Sequence, residues 1–131
     1  MDDSVNSAEK QGTQNPSPPV GPSAHSLTPP GTVYVSGSIG CDKDFKLAGG
    51  LEEQTRAGIE NMLKIVRSAG ADVQNILKVN IYLTNLKEDF APMNKIYATY
   101  FKENAPTRTC VGVAVLPLGA AFEIECICEL P

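Results

Sequence analysis

What most constrains the fold of this 131-residue chain is a hydrophobic period that switches repeatedly between helical and strand-like. From Leu51 to Ala69 the residues Thr55, Ile59, Met62, Leu63, Val66 and Ala69 recur at three and four, with Glu52, Glu53, Arg56, Glu60 and Lys64 between them. That spacing predicts an amphipathic helix. Gly70 follows where a left-handed C-terminal residue is wanted. Leu77, Val79, Ile81 and Leu83 then alternate with Lys78, Asn80, Tyr82 and Thr84, the period of a half-buried strand. Helical spacing returns at Phe90, Met93, Ile96, Tyr97, Tyr100 and Phe101, and Asn104-Ala105-Pro106 stops that helix. Val111, Val113 and Val115 next alternate with Cys110, Gly112 and Ala114, and a Pro117-Leu118-Gly119 turn leads into a last strand from Phe122 to Glu129. These two runs predict a terminal β-hairpin.

Upstream, Thr32-Val33-Tyr34-Val35-Ser36-Gly37 follows Pro29-Pro30-Gly31 and has the content of a strand started by a turn. Ser23 to Leu27 predicts a short first strand. Residues 1–18 are rich in Ser, Asn, Gln and Pro, with almost nothing to bury, and read as a disordered arm before a domain at 19–131. The order of elements predicts an α+β domain, a mixed sheet with both helices on one face. In the last strand Phe122, Ile124, Cys126 and Cys128 share one face and Glu123, Glu125, Ile127 and Glu129 the other. The uncovered face is expected to carry Arg108 and Glu123 together and to close against a copy of itself, giving a homo-oligomer with its site at the subunit boundary.

A net charge of −4 argues against a general nucleic-acid binder. His25 is the only histidine, and Cys41, Cys110, Cys126 and Cys128 form no CxxC pair, so no metal site is expected. Cys126 and Cys128 point in parallel from one strand face, which is poor disulfide geometry, and the thiols read as free in a reducing compartment. No apolar run reaches the roughly 18 residues of a membrane span. The polar, acidic N-terminus, without arginine before Arg56, fits neither a secretory nor a mitochondrial leader, and the cytoplasm is the expected location.

Arg108 offers a planar fork of donors suited to a carboxylate, and Glu123 can hold or activate a water. The plainer reading is that Arg108 locks the sheet through Glu123 or Glu125. Cys110 lacks a neighbouring histidine that would depress its pKa and is not expected to be a nucleophile.

Pro106-Thr107-Arg108-Thr109-Cys110-Val111, then Leu116-Pro117, then Glu123-Ile124-Glu125, resembles the signature of the RidA (YjgF/YER057c/UK114) family. The resemblance extends through Val20-Gly21-Pro22, Val35-Ser36-Gly37, the Leu51 to Gly70 helix and Met93-Asn94-Lys95-Ile96-Tyr97, about residues 18 to 131. It implies a chorismate-mutase-like fold, a homotrimer with clefts between subunits, and hydrolytic deamination of enamines and imines such as 2-aminoacrylate to 2-oxo acids and ammonium, without a cofactor. By the same resemblance Arg108 binds the substrate carboxylate and Glu123 handles the attacking water, while Ser36, Asn94 and Cys110 line the pocket. One position departs: members often carry a tyrosine directly after Gly-Pro, and here Gly21-Pro22 is followed by Ser23, whose hydroxyl cannot reach or pack as a phenol does. Two other functions are compatible with the resemblance. One is an endoribonuclease or translation inhibitor, against which the acidic charge and the missing histidine pair count; the other is a non-catalytic trimer that binds a metabolite.

Overall fold

A computed structural model describes the backbone of residues 25–28 and all of residues 31–131. The arm at 1–18 and Ser23 lie outside the described residues. Five strands, β1 (His25–Thr28), β2 (Thr32–Ile39), β3 (Ile76–Leu83), β4 (Thr107–Gly112) and β5 (Phe122–Glu129), form one mixed sheet in the order β1-β2-β5-β3-β4. Two helices, α1 (Leu51–Ser68) and α2 (Leu86–Tyr100), pack on one face of it. The α+β architecture therefore follows the change of period.

Helix α1 starts after Gly50, whose N–H is accepted by Glu53 Oε1 at 3.1 Å, and Glu52 and Glu53 sit at the positive end of the helix dipole. It ends where Gly70 adopts φ +101°. Its inward stripe, Thr55, Ile59, Met62, Leu63 and Val66, is buried as the spacing predicts. Ile65 is buried as well, and the Thr55 hydroxyl is satisfied by donating to Leu51 O at 2.7 Å. The stripe packs on Val33, Val35, Val79, Ile81, Leu83, Phe122, Ile124, Cys126 and Cys128, which are the helix-facing residues of the sheet.

Two expectations from the sequence need correction. Leu77 is not part of the inward row of β3: it is 49% exposed, and Ile76 is buried in its place, because the pairing of β3 with β5 shifts between Ile76 and Lys78. That irregularity moves one residue to the other face without disturbing Val79, Ile81 and Leu83. The second correction concerns the predicted hairpin. β5 inserts between β2 and β3, antiparallel to both, whereas β4 pairs in parallel with β3 at the sheet edge. The connection, residues 113–121, is longer than the roughly two to five residues of ordinary hairpin loops. It passes the end of β3, where Val113 N–H donates to Leu83 O at 2.9 Å and Thr84 N–H to Ala121 O at 3.3 Å.

Burial explains the choice. β5 has four fully or nearly fully buried side chains on its inward face and takes the central position, where ladders on both sides satisfy its backbone. β4 has no fully buried side chain, Val111 is 41% exposed, and it accepts the edge. Val115, beyond the strand, is 80% exposed despite the alternation of valines.

Candidate active site

Parity along β4 decides where Arg108 points. Arg108 lies opposite Val79 and Cys110 opposite Ile81, both core residues of β3, so the two side chains leave the sheet on the helix side. There Arg108 meets α2. Its Nη1 donates to Asn94 Oδ1 at 2.7 Å, and its guanidinium carbon lies 4.6 Å from the centre of the Tyr97 ring and 5.6 Å from that of Phe90. Phe90, Asn94 and Tyr97 are four and three residues apart, hence on one helix face. Tyr97 in turn stacks on Phe101 with ring centres 4.4 Å apart. Each ring contributes roughly 0.5–2 kcal/mol of cation–π attraction, and the amide fixes the rotation of the fork.

Burial pushes the Tyr97 phenol up to about 12, although Arg108 pulls it the other way. Among the described residues the Tyr97 hydroxyl has no hydrogen-bond partner. Burial likewise pushes the half-buried Cys110 thiol up, with Arg108 opposing.

Glu123 leaves the sheet on the opposite, open face, where it sits across from Tyr82 of β3. It is half-buried and accepts no hydrogen bond among the described residues. Burial, and then the charge of Glu125, raises its carboxyl above the ordinary carboxylate range. Room for it is made by β2. Between the pairs Val35–Cys126 and Ser38–Ile124, β2 carries two residues, Ser36 and Gly37, against the single Glu125 of β5. This is a β-bulge. A Cβ on Gly37 would run into the Glu123 carboxylate. Ser36 is exposed on the same face.

The sequence-derived candidates therefore form two groups. Arg108, Asn94 and Cys110 stand on the helix side of the sheet edge, and Glu123 and Ser36 on the open face. The expectation that Arg108 and Glu123 share the uncovered face is not met, because Arg108 has the inward parity of β4 and Glu123 the outward parity of β5. Nor does Arg108 lock the sheet through a glutamate: Glu125 Oε2 is instead taken by Asn80 Nδ2 and the Tyr82 hydroxyl, each at 2.9 Å. Two surface clefts of the single chain, about 590 Å³ between the helices and about 480 Å³ beside residues 41–48, are lined by neither Arg108 nor Glu123. Sequence reasoning passed over the aromatic cradle of Phe90 and Tyr97 and the notch at Gly37. The first was signalled by the spacing around Asn94; the second had no local signal.

Comparison with known proteins gives this geometry a family. The family described as Endoribonuclease L-PSP matches residues 13–130. The RutC family protein UK114 of Drosophila melanogaster is 39% identical over 117 residues, 88% of this chain and 84% of its own. The human 2-iminobutanoate/2-iminopropanoate deaminase is 36% identical over 110 residues, 82% of this chain and 80% of its own. Among solved structures, yeast Mmf1 superposes with a TM-score of 0.83 at 34% identity, covering 89% of this chain and 94% of its own. E. coli TdcF with bound serine superposes with a TM-score of 0.81 at 33% identity, covering 91% and 96%. With the signature around Arg108 and Glu123 carried on the same fold over nearly the whole described domain, the chain belongs to the RidA (YjgF/YER057c/UK114) family.

Proposed function

We propose that this protein hydrolyses reactive imines of 2-oxo acids, including those formed from 2-aminoacrylate-type enamines, at sites shared between the subunits of a cytoplasmic homotrimer. The observation that carries the reading is Arg108: a half-buried guanidinium, aimed by Asn94 and Tyr97, that makes no ion pair among the described residues. A desolvated cation held in one orientation without a carboxylate is suited to receive one from a ligand. The deaminase names of relatives and the serine held by TdcF, a small carboxylate, support the same class of substrate.

Glu123 supplies the second function. As water oxygen bonds to C2 of the imine, its proton passes to Glu123 and the C=N π pair moves to nitrogen. Glu123 then returns that proton to the nitrogen; as the C–N bond breaks with its pair leaving on nitrogen, the hydroxyl oxygen closes the C=O bond and its proton passes to the departing nitrogen, leaving a 2-oxo acid and ammonia, which takes up a solvent proton as ammonium. A carboxyl raised toward neutrality is better matched to this transfer than an ordinary one. Because the two groups leave opposite faces of one sheet, one chain does not bring them together directly. The edge of one copy set against the open face of the next does, and such a head-to-tail contact closes into a ring.

The test couples the protein to a pyridoxal-phosphate-dependent dehydratase and follows 2-oxo acid release. Losing a charge-assisted contact of about 1.5–3 kcal/mol, Arg108→Ala lowers kcat/KM by at least about tenfold. Equal rates for the parent and Arg108→Ala would remove the reading.

A further inference from the structure

Glu123 and Glu125 are neighbours on the open face of β5, yet the fold treats them differently. Glu125 Oε2 accepts two hydrogen bonds, from Asn80 Nδ2 and from the Tyr82 hydroxyl, both at 2.9 Å. Glu123 accepts none among the described residues. Hydrogen bonds to a carboxylate favour its charged form, and a neighbouring charge opposes ionisation of a second carboxyl. Tyr82 makes the asymmetry plain. Its backbone pairs with Glu123, but its hydroxyl goes diagonally to Glu125.

Resting on the deaminase reading above, we propose that Glu125, held by Asn80 and Tyr82, is a positioning residue whose fixed charge keeps Glu123 able to take up and return a proton during imine hydrolysis.

The groups facing the pair from each neighbouring strand are consistent with that role. On β3, Tyr82 remains a donor, its phenol pushed up first by the hydrogen bond to Glu125 and then by burial. Lys78, the one cation on that stretch of β3, is turned to Thr109 Oγ1 of β4 at 2.7 Å. On β2, Ile39 pairs with Glu123 and the bulge residues Ser36 and Gly37 stand against Glu125, none of them ionisable, while Tyr34 lies two residues before the bulge and pairs with Ile127. Arg108 is on the far face. Among the described residues Glu125 is therefore the charge that acts on Glu123, adding to burial in raising its carboxyl.

Glu125→Gln isolates the effect, because the amide oxygen can still accept from Asn80 and Tyr82 while the charge is gone. Carboxyl-carbon NMR on 13C-glutamate protein, with Glu123→Gln to assign the resonance, reads the Glu123 titration directly, with no need for turnover. The expected result is that Glu125→Gln moves the Glu123 titration to lower pH and Glu125→Asp restores part of the shift, with parental melting temperatures. An unmoved Glu123 titration in Glu125→Gln would overturn the proposal, whatever the activity. In the coupled assay the rising limb of the pH–rate profile moves to lower pH in Glu125→Gln. A moved titration beside an unmoved limb, or full activity in Glu123→Gln, would also overturn the proposed role in hydrolysis. Failure of the deaminase reading itself would be recognised separately, as parental rates in Arg108→Ala.

Discussion

Gly37→Ala separates the placement of Glu123 from the stability of the fold. Gly37 is not among the residues with positive φ, so alanine fits its backbone. The new methyl meets a side chain instead, lying 2.8 Å from Glu123 Cδ and 3.2 Å from Cγ before any adjustment. Ordinary contact between carbon atoms is about 3.5–4.0 Å, so the carboxyl must retreat by roughly 1 Å. Turning a Glu rotamer aside costs about 0.5–1.5 kcal/mol, and replacing glycine returns about 0.4–1 kcal/mol through the unfolded chain. The two nearly cancel, and the melting temperature should stay within a few degrees of the parent, since about 1 kcal/mol corresponds to roughly 2–8 °C in domains of this range. Activity should not stay. A displacement of about 1 Å at a reacting group costs on the order of a hundredfold. Thermal unfolding and the coupled 2-oxo acid assay on one preparation give both numbers. Parental activity in a folded Gly37→Ala protein would refute the reasoning, as would a melting point lowered by tens of degrees, which would mean that the strand and not the side chain had moved.

Three further variants test the Arg108 side of the sheet and position 23. Tyr97→Phe keeps the ring under Arg108 but removes a buried hydroxyl that has no partner among the described residues, and should raise stability by about 1 kcal/mol in urea unfolding. Because the folded state holds the Tyr97 proton up to about 12 against an ordinary value of 10.0, the unfolded chain ionises first and stability present below pH 10.0 is lost as pH rises toward 12; in Tyr97→Phe this alkaline loss should be smaller. Asn94→Ala releases the Arg108 fork and should raise KM more than it lowers kcat, because the carboxylate is gripped equally in the ground and transition states; an unchanged KM would deny Asn94 its positioning role. Ser23→Tyr, which supplies the ring common in the family, should raise the rate or widen the range of imines hydrolysed, and no response in the coupled assay would make that position irrelevant here.

The sequence reveals what burial repeats and conceals what pairing decides. The 3.6-residue stripe of α1 and the inward row of β5 could be read directly, because each buried position must be apolar whatever lies opposite. Strand order has no such signature. Val111, Val113 and Val115 look like a strand to be paired with β5, yet β-branched content records only a pleated environment. What placed β4 elsewhere was the greater burial available to β5 between β2 and β3. From that one displacement comes the error about the site. In a strand, choosing which residues face the core fixes the face of all the others, so giving the valines to the core sends Arg108 outward. In the fold Arg108 and Cys110 have the inward parity, and the arginine survives there because Asn94 and two aromatic rings replace the water it leaves. A cation stabilised in this way is read in sequence only by someone who already knows that β4 lies beside α2. Glu123 and Glu125 pose the complementary problem: parity places them together correctly, but their unequal roles depend on Asn80 and Tyr82, more than forty residues away in the chain and visible as neighbours only once β3 is paired with β5.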